Sequence, residues 1–196
     1  MRNDSLTDLC VSKTDEELVA MALEDQDYFA YIVTRYEKKL LSYIIRISGL
    51  SREDAEDVLQ EVFIKIYVNL NSFDDKLKFS SWAYRITHNE AINNYRKKKS
   101  RPQCAMDLDD EFLNNLASDM QTDGHVDIQY LKDNVKKVLE AMEPKYREVL
   151  VLRFWEDKDY GEISDILKKP MGTVATLLSR AKSSFRKEIE KQNIKL

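Results

Sequence analysis

The sequence predicts an all-α protein: two small helical domains joined by an acidic linker. Three observations predict it. Glycine and proline are scarce, four and three in 196 residues, and helix-forming charged residues are abundant. Apolar residues recur at three- and four-residue spacing, and no strand-like alternation runs for more than a few residues. Residues 102–127 break the pattern: they carry seven acids, no lysine or arginine, and no sustained periodicity.

The elements follow in order. Residues 1–13 read as an N-terminal extension, and the first helical unit spans 14–101. Thr14 with Glu17 forms a capping box ahead of LVAMAL. A second helix is expected after Asp27, with Phe29, Ile32, Val33, Tyr36, Leu40, Ile44 and Ile47 at helical spacing and Gly49 to end it. Ser51 with Asp54 starts a third, whose core stripe is Ala55, Val58, Leu59, Val62 and Ile66. Asp57, Gln60, Glu61 and Lys65 fall on its other face. Residues 71–78 read as a loop. A fourth helix begins near Ser80 and runs into the basic stretch RKKKSR.

Pro102 and Gly124 stand near the two ends of the linker, which has room for one helical turn at 111–116. The second unit spans 128–196. Leu131, Val135, Val138, Leu139 and Met142 share one helix, and Pro144 opens the next at its first turn, continuing to Trp155. Asp159 with Glu162 caps a short helix carrying Ile163 and Leu167. A tight break at Lys169, Pro170 and Met171 follows. Val174, Leu177, Leu178, Ala181, Phe185 and Ile189 then line the last helix, with Thr173, Thr176, Ser179, Arg180 and Lys182 turned away from that stripe. A short helix, a break and a helix with a polar, basic outer face is the pattern of a helix-turn-helix entering a DNA major groove.

The net charge of −4 is ill suited to DNA, but charge is segregated along the chain. Residues 1–95 carry −6, residues 96–101 carry +5, the linker carries −7 and residues 128–196 carry +4. Local field decides where a polyanion sits. The fourth helix interleaves Trp82, Tyr84 and Tyr95 with Arg85, Asn89, Asn93, Arg96, Lys97, Lys98 and Lys99. Cations track phosphates, amides read base edges, and aromatic faces stack on unpaired bases, although Trp82 also fits a core stripe. The tethered linker acids can cover the basic run or the last helix at high effective concentration; a solvated spacer is the alternative.

Other functions are poorly supported. No run reaches the length of a membrane span, and no basic start followed by an apolar block marks an export signal. Cys10 and Cys104 lack metal-ligand spacing, which predicts a reduced cytoplasmic pair, and His88 and His125 stand alone. Neither a catalytic residue, a metal nor a cofactor is expected. A metal-dependent nuclease would need a compact acid and histidine constellation, whereas these acids are spread along helices or packed into the linker.

DAEDVLQEVFIKIYVNL, then FSSWAYRITHNEAI, then a basic run, resembles region two of bacterial sigma factors. PKYREVLVLRF, then EISDILKKPMGTV, then SRAK, resembles region four. Their order, with a short linker and no third domain, is similar to that of the extracytoplasmic function (ECF) group. The resemblance implies a non-enzymatic cytoplasmic protein that binds core RNA polymerase, directs it to specific promoters and promotes DNA opening. It implies core polymerase, promoter DNA and an anti-sigma factor as partners. By the same resemblance Asp54, Asp57, Gln60 and Glu61 dock on the polymerase clamp. The loop at 71–79, with Arg85, Asn89 and Asn93, takes the minus-ten element as single strand, Arg96 belongs to the same DNA-binding set, and Lys97, Lys98, Lys99 and Arg101 hold backbone phosphates. Arg147 and Arg153 hold phosphates near the minus-thirty-five element, and Thr173, Thr176, Ser179, Arg180 and Lys182 lie toward that duplex.

Several positions depart from the family pattern. Ala175, Thr176, Leu177 and Leu178 stand where Lys, Ser, Arg and Leu are usual; Lys168 replaces a helix-ending Gly, Ser164 a small Ala, and Lys182 an Arg. Lys168, Lys169 and Lys182 restore part of the lost phosphate attraction. An autonomous helix-turn-helix regulator is the alternative function. It explains residues 159–189 but neither the 79–101 block nor the DAEDVLQE face. A helical adaptor with no DNA role explains neither basic block.

Overall fold

The computed structural model of the chain describes residues 12–74, 76–98 and 128–192. The expectations for the linker, Cys10, Cys104, His125, Lys99, Arg101 and the side chains of Lys97, Lys98 and Leu131 lie outside the described residues. The chain divides into two compact units, Met1–Cys104 and Ala105–Leu196.

In the first unit, α1 (Asp15–Glu24) opens on the expected capping box. The Glu17 amide donates to Thr14 Oγ1 at 3.1 Å, and the Thr14 amide donates to Glu17 Oε2 at 2.8 Å. The next helix does not follow Asp27 directly. The Asp25 carboxylate accepts from the Asp27 amide and caps a 3-10 turn, Gln26–Tyr28, so α2 (Phe29–Ser48) starts at Phe29. Gly49 ends α2 in the left-handed region, at φ 65°, where a Cβ is strained. Ser51 Oγ accepts from the Asp54 amide and starts α3 (Arg52–Val68). A 3-10 turn, Leu70–Ser72, occupies the start of the expected loop, and α4 (Phe79–Lys98) follows.

α2, α3 and α4 pack against one another, and α1 closes on α2 and α4. All five residues of the expected α3 stripe are buried. The Tyr84 ring packs on Tyr43 with centroids 5.1 Å apart. Phe79 meets Tyr36, Phe73 and Trp82, which anchors both ends of the 73–78 loop in one aromatic cluster. The start of α1 is tied down by charge. Arg35 donates to Asp15 at 2.6 Å and to the Lys13 carbonyl at 2.7 Å, and the Tyr36 hydroxyl donates to the other Asp15 oxygen. Burial, and then that carboxylate, push the Tyr36 phenol well above its usual range.

In the second unit, α5 (Ile128–Ala141) buries Val135, Val138 and Leu139. α6 (Pro144–Leu150) has proline in its first turn, as expected. It does not run on as regular helix to Trp155. Val151–Trp155 is a π-helical turn, with the Glu156 amide reaching back five residues to the Val151 carbonyl at 3.1 Å. This widening coincides with burial of Val151, Leu152 and Phe154 together. α7 (Tyr160–Leu167) and α8 (Met171–Lys191) follow, and α8 packs on α5, α6 and α7. α7 buries Ile163 and Ile166, three apart, rather than Leu167, which is half-buried.

Candidate nucleic-acid and polymerase interfaces

The α3 stripe turns Asp57, Gln60 and Glu61 to solvent, all exposed. Asp54, one turn earlier, is half-buried. The same helix also exposes apolar side chains that the sequence reading missed: Ile64 at 63%, Tyr67 at 43% and Val68 at 69%. An open groove of about 680 Å³ lies beside them, between the ends of α1 and α3, lined among others by Leu23, Tyr67, Val68 and Leu70. The signal was available, since Ile64 and Val68 fall off the core stripe of their own helix. Contiguous exposed apolar side chains beside acids mark a surface that a partner covers.

On α4, Arg85, Asn89, Asn93 and Arg96 follow one another at helical spacing, so they share one face. Arg85 is half-buried and the other three are exposed. Lys97 and Lys98 close the same helix. One aromatic candidate for base stacking is corrected: Tyr84 is 2% exposed and packed on Tyr43, so its ring presents no free face. Trp82, 6% exposed, lies in the core, as its place on a core stripe suggested. Both were recruited to the core because α4 is covered by α2 and α3 along that side. Tyr95 is half-buried.

α7 and α8 form the expected helix-turn-helix. Asp159 Oδ1 accepts from the Glu162 amide at 2.8 Å, and Glu162 Oε2 accepts from the Asp159 amide at 3.1 Å. Lys168 ends α7 in the left-handed region, at φ 50° and ψ 48°. The turn compensates for the missing glycine. The Lys169 amide donates to the Ser164 carbonyl at 3.1 Å, and Ser164 Oγ donates to the Lys169 carbonyl at 2.6 Å. On α8, Val174, Leu178, Ala181, Phe185 and Ile189 are buried, which leaves Thr173, Thr176, Ser179 and Arg180 exposed. Thr176 Oγ1 donates to the Gly172 carbonyl at 2.8 Å, so its lone pairs are what it can offer outward. Leu177 is half-buried, and Lys182 Nζ lies 5.7 Å from the centre of the Phe154 ring.

The two expected phosphate-holding arginines part company. Arg153 is partly exposed, with Nη1 3.3 Å from the Lys158 carbonyl and 3.5 Å from Asp157. Arg147 is only 7% exposed, so its guanidinium is structural in this conformation and offers a duplex almost no surface. Its place in α6, with Val149 and Leu150 buried beside it, is what encloses it. Among the described residues no group of three histidine, cysteine or acidic side chains is arranged to hold a metal ion. His88 instead faces the Tyr43 hydroxyl at 3.0 Å.

A helical unit with an acidic exposed helix face beside a cationic, amide-bearing one, followed by a helix-turn-helix unit, is the arrangement of a DNA-directed transcription protein. The comparisons specify which class. The family model for Sigma-70 region 2 matches residues 32–101, and that for Sigma-70, region 4, matches residues 132–184. The ECF RNA polymerase sigma factor SigW of Bacillus subtilis (strain 168) is 36% identical over 173 residues, covering 84% of this chain and 90% of that protein. The ECF RNA polymerase sigma-E factor of Escherichia coli (strain K12) is 30% identical over 184 residues, covering 90% and 95%. CnrH, solved in complex with the cytosolic domain of CnrY, superposes with a TM-score of 0.66 at 22% identity, covering 91% of this chain and 99% of that one. The sigma factor RpoE from Bartonella quintana, solved with the anti-sigma factor NepR, gives 0.62 at 20% identity, covering 83% and 96%. At those identities the two structures speak for the fold alone. The chain belongs to the ECF sigma factors of RNA polymerase, a class that is not in general enzymatic.

Proposed function

We propose that this sigma factor divides its work among three surfaces. The α3 face docks on core RNA polymerase through Asp54, Asp57, Gln60 and Glu61, with Ile64, Tyr67 and Val68 as an apolar centre beside the acids. The α4 line Arg85, Asn89, Asn93 and Arg96 receives the minus-ten element as single strand, with Lys97, Lys98 and Lys99 on the backbone. Amides can satisfy a base edge once the base has left its stack, and cations follow the phosphates. The α8 face Thr173, Thr176, Ser179 and Arg180, flanked by Lys182 and Arg153, meets the minus-thirty-five duplex in the major groove.

The observation that carries the reading is the separation of faces within the first unit. α3 exposes acids and apolar side chains, α4 exposes cations and amides, and one packed core holds both helices. A polyanion is repelled by the first face and attracted by the second, so one domain can serve polymerase and DNA at once. CnrH was captured with the cytosolic domain of CnrY, and RpoE with the anti-sigma factor NepR. We propose that an anti-sigma factor also sequesters this chain, in the cytoplasm. No helix among the described residues is long and apolar enough to cross a membrane.

Transcription in vitro with core polymerase on genomic fragments, followed by mapping of transcript starts, tests the proposal. Starts that share upstream elements and appear only when both protein and core are present are the expected result. Tight, specific duplex binding without polymerase, and no specific initiation with it, would instead support the autonomous regulator.

A further inference from the structure

Lys65 is exposed on the same side of α3 as Gln60 and Glu61, and it also reaches across to α4. It sits on α3, four residues after Glu61, and its Nζ lies 2.5 Å from Glu90 Oε1 on α4. Glu90 is the residue between Asn89 and Ala91 and is 8% exposed, which makes it one of the few buried charged side chains in the described residues. A buried carboxylate is held in place only where a cation compensates it.

The packing around the pair explains why such a contact matters here. On α4, Ala83, Thr87 and Ala91 are each 0% exposed and four residues apart, and Glu90 lies seven after Ala83 on the same side. Small side chains let neighbouring backbones approach closely there, while the aromatic contacts of Phe79, Trp82 and Tyr84 hold the first half of α4. Lys65 likewise lies seven after Val58 and three after Val62, at the margin of the buried α3 stripe. The ion pair is a directional contact between α3 and α4 in the second half of α4, beyond those aromatic contacts. A rotation of α4 that broke it would also turn Asn89 and Asn93, one residue before and three after Glu90.

We propose that the Lys65–Glu90 pair positions the strand-reading face of α4 relative to the polymerase-docking face of α3. Both are positioning residues, neither of which need touch DNA or polymerase. The inference rests on the reading of the two faces given above. It adds that a charge contact across the α3–α4 seam, beside the packing, holds their relation, so a shift of α3 on docking is passed to Asn89 and Asn93.

The test uses the full chain in complex with core polymerase. Glu90→Gln, Lys65→Met, Lys65→Arg and the exchanged pair Lys65→Glu/Glu90→Lys are compared for binding of a labelled single-stranded minus-ten oligonucleotide. Core affinity and helical content are measured in parallel, and Asn89→Ala serves as the control for the strand site. Glu90→Gln and Lys65→Met should weaken strand binding by about 2- to 30-fold, the range for coupling through packed elements. Core affinity and helicity should hold, and Lys65→Arg and the exchanged pair should recover most of the loss. If breaking the bridge only lowers the unfolding temperature and leaves strand binding by the folded holoenzyme unchanged, the proposal is overturned. If Asn89→Ala weakens binding and Glu90→Gln does not, the coupling is wrong and the strand site stands. If neither has an effect, the assignment of the α4 face fails, and the inference fails with it.

Discussion

Charge reversal on α3 should separate docking from folding. The perturbation is Asp57→Lys with Glu61→Lys. Both side chains are exposed and four residues apart on one face, and neither belongs to the buried stripe Ala55, Val58, Leu59, Val62 and Ile66. In the native helix the two acids repel each other, and Lys65 is engaged by Glu90 rather than by Glu61. Reversal exchanges one like-charge pair for another and adds a lysine four residues before Lys65. Each such pair is worth a few tenths of a kcal/mol, so the first unit should lose no more than about 1 kcal/mol. At the interface the same change sets like charge against a surface that attracts acids. Like-charge juxtaposition costs several kcal/mol, and about 3 kcal/mol is about a 100-fold loss of affinity. The neutral pair Asp57→Asn/Glu61→Gln removes attraction without adding repulsion and should cost about fivefold. Competition with labelled wild-type protein for core polymerase measures both, with far-ultraviolet circular dichroism as the folding control. The gap between reversed and neutral variants should narrow as salt rises. A reversed variant that stays helical and still competes fully would refute the assignment of this face.

Three further outcomes are expected. Replacing Lys97, Lys98 and Lys99 by Ala should weaken holoenzyme binding on all promoters and lower the salt slope by about one per lost phosphate contact, whereas Arg180→Ala should matter only on templates with an intact upstream element; equal losses on both kinds of template would sink that division. Lys168→Gly should stabilise the second unit by about 0.5–1 kcal/mol by relieving a left-handed non-glycine residue, and Ser164→Ala should cost about 1 kcal/mol through the lost bond to the Lys169 carbonyl, both read by denaturant titration. Tyr36, whose phenol is held above its usual range by burial and by Asp15, contributes stability that is fully present below about pH 10 and is lost as pH rises toward its folded-state value. The stability difference between wild type and Tyr36→Phe should therefore be constant from pH 7 to about 9.5 and shrink above about pH 10, by at most about 1.4 kcal/mol per pH unit; a difference that stays flat to about pH 11.5 would show that Tyr36 ionises no less readily in the folded state.

What the sequence determined by itself was local and periodic. The boxes at Thr14 with Glu17 and at Asp159 with Glu162, the α2 stop at Gly49 and proline at the start of α6 depend on contacts within a few residues, and the α3 stripe was legible as a helical period. The exposed faces of α3 and α8 follow from the same periods, because burying one side of a helix turns the opposite side to water. The tertiary structure alone decided the questions that span tens of residues. Tyr84 lost its free face to Tyr43, Arg147 went inside, and Ile166 replaced Leu167 in the core. Asp15 joined Arg35 and Tyr36, and Lys65 met Glu90 across 25 residues of chain. A helical period says which side chains share a face, but not which helix covers that face or at what rotation. That rotation is set by packing among helices, and it separates an arginine that can hold a phosphate from one enclosed in the core.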